Sequence, residues 1–316
     1  MKKAYCVYGK FNEEARDLLT NNGIDLTENP SKERPDEEGV IDLLKEYDIL
    51  IIGVFPKLTS RIAESIKTPK IIASSTVGLD HIDKAFFENP LVTVLNIKLA
   101  NAVSVAEHIF ALILALNKRV CESNYLVLNK QGDRHNVHEI SDDISNKTLG
   151  LVGAGNITWE VIRIAQVFNM RMKCYTKTPS RHANLLEKGV IFTTLDDVLK
   201  ESDIINVSIP LTDETRNLIS KEKIQLMKPT VTFINTSRTQ IVDTNAQIEY
   251  ADKYDTFYVG LDIDLDDYKE LFSKYRPNVI ATPHTAGSSK QSIERMDLEL
   301  ANNIVEKLRK LVEDAS

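Results

Sequence analysis

Residues 146–182 read NKTLGLVGAGNITWEVIRIAQVFNMRMKCYTKTPSRH, and this stretch decides the fold. Thr148 to Val152 is a short apolar run of the kind that forms a buried strand, and it breaks at Gly153-Ala-Gly155. Ile157, Val161, Ile162, Ala165 and Phe168 then recur at helical spacing, and a second apolar run follows from Met170 to Thr176. Strand, glycine turn, helix and strand make a βαβ unit with glycines at the first crossover. Glycines there let the backbone approach a pyrophosphate, and the N–H groups opening the helix face its negative charge.

Two features depart from the usual G-x-G-x-x-G pattern. Thr158 stands where a third glycine would, which predicts a looser or bent contact between helix and strand. The second strand ends in Thr176-Lys177-Thr178, with Arg181 beyond, where an acidic residue would hold an adenosine ribose.

Working outward, 316 residues suggest about two domains. An apolar share of 42% and a charged share of 27% are those of a globular protein. A net charge of −7 argues against a nucleic-acid partner, which demands a basic face. The longest apolar run, Ile109 to Leu116, is too short to cross a bilayer, and Met1-Lys-Lys leads straight into a strand pattern without a signal peptide. Cys6, Cys121 and Cys174 are scattered and read as reduced thiols in a cytoplasmic protein, neither a disulfide frame nor a metal cluster.

Strand patterns at 4–8, 48–53, 70–74 and 91–95, with helical patterns between, make the first 96 residues a small α/β layer. Asn101 opens a long helix to about 119, apolar around most of its girth, and a symmetric dimer is expected from it. Further strands are expected at 204–209, 231–235, 258–262 and 279–282, and a final amphipathic helix from Lys290 to about Val312. The expected architecture is α/β with two Rossmann-like or flavodoxin-like parallel-sheet domains and a cleft between them. Residues 1–96 plus 288–316 form a discontinuous substrate domain, and 97–287 the dinucleotide domain.

Ligands of open parallel sheets sit beyond the carboxyl ends of the strands. Residues just past those ends are Ser75 to Asp80, Thr236-Ser237-Arg238, the acidic run Asp262, Asp264, Asp266 and Asp267, and Pro283-His284-Thr-Ala-Gly287. Singly, each has an ordinary structural reading. Together they suit a polar small molecule that carries a carboxylate and exchanges a hydride.

The chain resembles the D-isomer-specific 2-hydroxyacid dehydrogenase family over nearly its whole length. The resemblance rests on Ser104-Val-Ala-Glu-His108, Leu149-Gly-Leu-Val-Gly-Ala-Gly155, Ile209-Pro-Leu-Thr212 with Asp213-Glu-Thr215, Asn235-Thr-Ser-Arg238, Gly260-Leu-Asp262 and Thr282-Pro-His284-Thr-Ala-Gly287. It implies that Arg238 grips the substrate carboxylate and that His284 donates or accepts the proton. Asp267 stands where the family places a glutamate beside that histidine. It further implies that backbone N–H groups of Val77 and Gly78 hold the carboxylate and that Asp262 bonds the nicotinamide carboxamide. Cofactor contacts are expected at Gly153, Gly155, Asn156, Ile157, Thr176, Lys177, Thr178, Ser208, Pro210, Thr215, Thr236, Ser237, Asp262 and Gly287. Thr76, Thr158 and Thr239 in place of frequent glycines, Lys98-Leu99 for Pro-Gly and Ser208 for His mark a divergent member. The hydroxyls and cations ending the second strand favour NADP(H), with NAD(H) possible. A catalytically silent NAD(P)-binding regulatory protein of the same fold is the alternative.

Overall fold

The computed structural model describes residues 1–31, 33–129, 141–263 and 273–313. The chain divides into two compact units, Met1–Asn101 with Ser288–Ser316, and Ala102–Gly287. The first crossover therefore falls at 101/102, five residues beyond the boundary expected from sequence.

The first unit holds a parallel sheet of β1 (Lys2–Cys6), β2 (Ile24–Glu28), β3 (Ile49–Ile52), β4 (Lys70–Ser74) and β5 (Val92–Asn96), in the order β2-β1-β3-β4-β5. Every residue of β3 and β4 is buried, which is why their sequences run apolar without alternation. β2 escapes the sequence reading because IDLTE buries only Ile24 fully, as befits an edge strand. Side chains of Asn12, Asp36 and Thr59 cap the helices that follow them, each accepting from the N–H three residues on. The last helix, Lys290–Glu313, packs back on this sheet through Leu300, Ala301, Ile304 and Val305, which share a core with Ala4, Leu19 and Ile49.

That helix also buries a carboxylate. Asp297 is 2% exposed and accepts from the Tyr8 hydroxyl at 2.8 Å and from the Asn12 N–H at 2.9 Å. Burial raises the pKa of Asp297. The folded state thus favours its protonated form, and the group's stabilising contribution is lost as pH rises through the raised pKa. As pH rises above about 4, the ordinary aspartate value, the Tm of the wild type should fall relative to that of Asp297→Asn, which cannot titrate. Parallel Tm–pH curves for the two proteins would refute this.

The second unit holds β6 (Thr148–Val152), β7 (Arg171–Tyr175), β8 (Val190–Phe192), β9 (Ile204–Val207), β10 (Thr232–Asn235), β11 (Tyr258–Asp262) and β12 (Val279–Thr282). All are parallel, in the order β12-β11-β10-β9-β6-β7-β8. The order reverses between β6 and β9, the switch point where such sheets take ligands.

The long apolar helix is shorter than expected. It runs Ala102–Asn117, and a second helix, Val120–Leu128, starts after Arg119 turns the chain at φ 53°. The buried Arg119 guanidinium bonds the Glu122 carboxylate and, at 3.3 Å, the Tyr258 hydroxyl, which offsets the roughly 1–2 kcal/mol cost of a left-handed residue. Ten of the sixteen residues of Ala102–Asn117 are buried, seven of them in the unit's own core, so most of its apolar girth is explained within one chain. In Val120–Leu128 no residue is buried. No helix among the described residues is long and apolar enough to cross a membrane.

Candidate active site

Register builds the site. Val152 pairs with Val207 and Tyr175, Asn235 with Val207 and Leu261, and Asp262 with Thr282. Gly153, Thr176, Ser208, Thr236, Asp262 and Pro283 therefore end adjacent strands along one edge of the seven-stranded sheet.

Gly153 sits at φ 110°, and a Cβ there would lie 2.3 Å from the Ser208 carbonyl oxygen. Only glycine allows β6 and β9 to turn so closely at the switch point. A Cβ at Gly155 would meet nothing within 4 Å, so the backbone is open on that side. The helix Asn156–Val167 follows without a side-chain cap on its first turn. Thr158 does not loosen or bend it. The residue is completely buried, its hydroxyl donates to the Gly153 carbonyl at 3.0 Å, and the helix runs on unbroken. A threonine replaces the third glycine by bonding the turn.

At the next strand ends, Asn206 donates to the Ser208 hydroxyl at 2.9 Å. The buried Thr215 hydroxyl donates to the Pro210 carbonyl at 2.7 Å, so Thr215 shapes the loop that carries Pro210. Ser237 donates to the Val207 carbonyl at 2.9 Å. The Thr236 hydroxyl oxygen is buried without a hydrogen-bond partner among the described residues. An orphaned hydroxyl, an open glycine turn and an uncapped helix start, all at one edge of the sheet, are features that a dinucleotide would satisfy.

Arg238 is half-buried on a turn laced by Asn235, which donates to the Arg238 carbonyl and accepts from the Ser237 N–H, both at 3.0 Å. The Arg238 Nη1 donates to the Ser237 carbonyl at 3.0 Å, which orients the guanidinium. His284 sits at φ 53°, with its N–H donating to the Thr282 carbonyl at 3.0 Å. Asp262 is 1% exposed and holds this loop. It accepts from the Thr282 hydroxyl at 2.6 Å and from the N–H groups of Thr285 and Ala286, both at 2.8 Å. Asp264, Asp266 and Asp267 lie outside the described residues.

Two supports come from the 104–108 block, whose role was not legible in the sequence. Ser104 donates to the Ala286 carbonyl at 2.7 Å, and His108 Nε2 lies 3.0 Å from the Thr282 hydroxyl. Because Thr282 gives its proton to Asp262, His108 is the donor. Ser104 and His108 stand four residues apart, on one helical face, and that spacing on an otherwise apolar helix is the signal that could have found them.

At the ribose end, Lys177 pairs with Glu214, both well exposed, and Thr176 accepts from the Thr178 N–H at 3.4 Å. No ion pair to Arg181 exists among the described residues.

In the first unit Val77 and Gly78 follow β4. The Val77 carbonyl accepts from Asn96 at 2.9 Å and the Gly78 carbonyl from Thr76 at 2.7 Å. Among the described residues, no hydrogen bond leaves the N–H of Val77 or Gly78.

The family model of the D-isomer specific 2-hydroxyacid dehydrogenase NAD binding domain matches residues 110–286. The chain belongs to this family. It is 32% identical over 302 residues to a hydroxypyruvate reductase of Thermotoga maritima, covering 94% of this chain and 95% of that one. A D-lactate dehydrogenase from Aquifex aeolicus complexed with NAD and lactic acid superimposes with a TM-score of 0.78 at 29% identity, over 99% and 96% of the two chains. An acyclic imino acid reductase in complex with NADPH and D-arginine gives 0.84 at 25% identity, over 98% and 97%. Membership makes this chain an oxidoreductase that uses a nicotinamide cofactor on a small hydroxy or keto acid.

Proposed function

We propose that the protein reduces small 2-keto acids such as glyoxylate or hydroxypyruvate to the corresponding 2-hydroxy acids, of D configuration where the product is chiral, and prefers NADP(H). The observation that carries the reading is the placement of Arg238 and His284 on turns braced by their own unit, at the edge that also bears the glycine turn. When bound, the nicotinamide supplies the hydride. Arg238 would grip the substrate carboxylate with its planar fork and polarise the carbonyl. Val77 and Gly78 would offer their N–H groups to the same carboxylate. His284 would give its proton to the carbonyl oxygen as the hydride arrives, and take it back in the oxidation direction. Asp267 would face His284 and favour the imidazolium.

Gly153, Gly155, Asn156 and Ile157 would cradle the pyrophosphate, with Ser208, Pro210, Thr236, Ser237 and Gly287 lining the rest. Asp262 would bond the carboxamide with its remaining acceptor capacity, while holding the His284 loop. Support for NADP(H) lies in Thr176, Lys177, Thr178 and Arg181. The pair of Lys177 with Glu214 is exposed, and such pairs contribute little, so the ammonium can turn to a 2′-phosphate. Comparing kcat/KM for NADPH and NADH on glyoxylate tests this, and NADPH should be at least as good. A hundredfold preference for NADH would sink it.

The protein is also read as cytoplasmic and as a homodimer. For the dimer, support has moved from Ala102–Asn117 to the next helix, where Val120, Tyr125, Val127 and Leu128 are 44% to 73% exposed.

A further inference from the structure

Thr76 stands where glycine is frequent in the family, yet its side chain is bonded on both sides. Its hydroxyl donates to the Gly78 carbonyl at 2.7 Å and lies 2.7 Å from the Ser74 hydroxyl, which lies 3.2 Å from His81 Nε2. Directions follow from proton count. A carbonyl only accepts, so the Thr76 proton goes to Gly78, the Ser74 proton goes to Thr76, and His81 must donate from Nε2. Ser74 and His81 are 0% and 7% exposed, so the inner end of this chain is shielded from water, while Thr76 at its outer end is half-buried. On the other side, Asn96 holds the Val77 carbonyl at 2.9 Å. In a planar trans peptide the C=O and N–H point opposite ways, so fixing the Val77 carbonyl aims the Gly78 N–H.

We propose that Thr76 and Asn96 are positioning residues that clamp the two carbonyls flanking Gly78 and pre-set the loop that grips the substrate carboxylate. The inference rests on the reading of Val77 and Gly78 as that grip. It gives the threonine a task that glycine could not perform: the loop is ordered before substrate arrives, and the ordering cost is not charged against binding.

The test uses the whole enzyme with glyoxylate and NADPH. Thr76→Val keeps shape and removes the hydroxyl, and KM for glyoxylate should rise by roughly 3- to 10-fold, the loss of one hydrogen bond. The kcat at saturation, KM for NADPH and Tm should change little. Thr76→Ser should restore KM, and Asn96→Ala should raise it as Thr76→Val does. A wild-type KM in T76V, a failure of T76S to restore it, or an equal rise in the KM for NADPH overturns the proposal. Val77→Pro removes an N–H of the grip itself. If V77P raises KM and T76V does not, only the role of Thr76 falls. If neither moves it, the grip reading falls and takes the proposal with it.

Discussion

Replacing His284 by alanine should cut keto-acid turnover by roughly 10²- to 10⁴-fold, the range for a general acid, while NADPH affinity stays within a few-fold. The separation is expected because hydroxyl and backbone bonds hold the loop. Asp262, Ser104 and His108 hold Thr282, Thr285 and Ala286 through hydroxyls and backbone groups. The φ of 53° adds one complication, since alanine adopts that conformation less readily than asparagine. His284→Asn is therefore the companion variant: it tolerates the backbone and still cannot donate a proton from an imidazolium. Both variants should lose turnover alike. Turnover in either that stayed within a few-fold of wild type would remove His284 from the proton-transfer role.

The second large effect is expected at Arg238. Arg238→Lys should lower kcat/KM for glyoxylate by about 10²- to 10³-fold, because an ammonium cannot replace a fork that both grips a carboxylate and polarises a carbonyl. Arg238→Gln should go further in one respect. The wild type should favour glyoxylate over its neutral amide, and the glutamine variant should lose that discrimination. Cofactor dissociation constants measured by fluorescence titration should move by less than threefold. A variant that lost activity on both compounds in equal proportion would show that Arg238 does not read the carboxylate.

Much of the frame was legible because it depends on local rules. Buried parallel strands announce themselves as unbroken apolar runs, as at Ile49–Ile52, and ligand-facing residues must follow their carboxyl ends. What escaped depends on distant partners. β2 and β8 are edge strands with too few buried side chains to leave a pattern. The break at Arg119 is held in part by Tyr258, far along the chain. Thr158 read as a defect because its acceptor, the Gly153 carbonyl, becomes visible only once the turn is folded. Asp262 was read as a cofactor ligand, and its hold on the His284 loop appears only when β11 and β12 pair.

The brace around His284 carries one more consequence. Its members, Ser104, His108, Asp262 and Thr282, and Arg238 as well, all belong to Ala102–Gly287, the segment that also bears the glycine turn. The loop after β4, with Thr76, Val77 and Gly78, belongs to the other segment. On the proposed reading, proton transfer and the Arg238 grip lie in one stretch of chain, and a second hold on the carboxylate lies in the other. Drift in residues 1–101 would then retune which acid is accepted while the proposed proton and hydride machinery is inherited intact, so new substrates would arise in such a lineage without reinventing its chemistry.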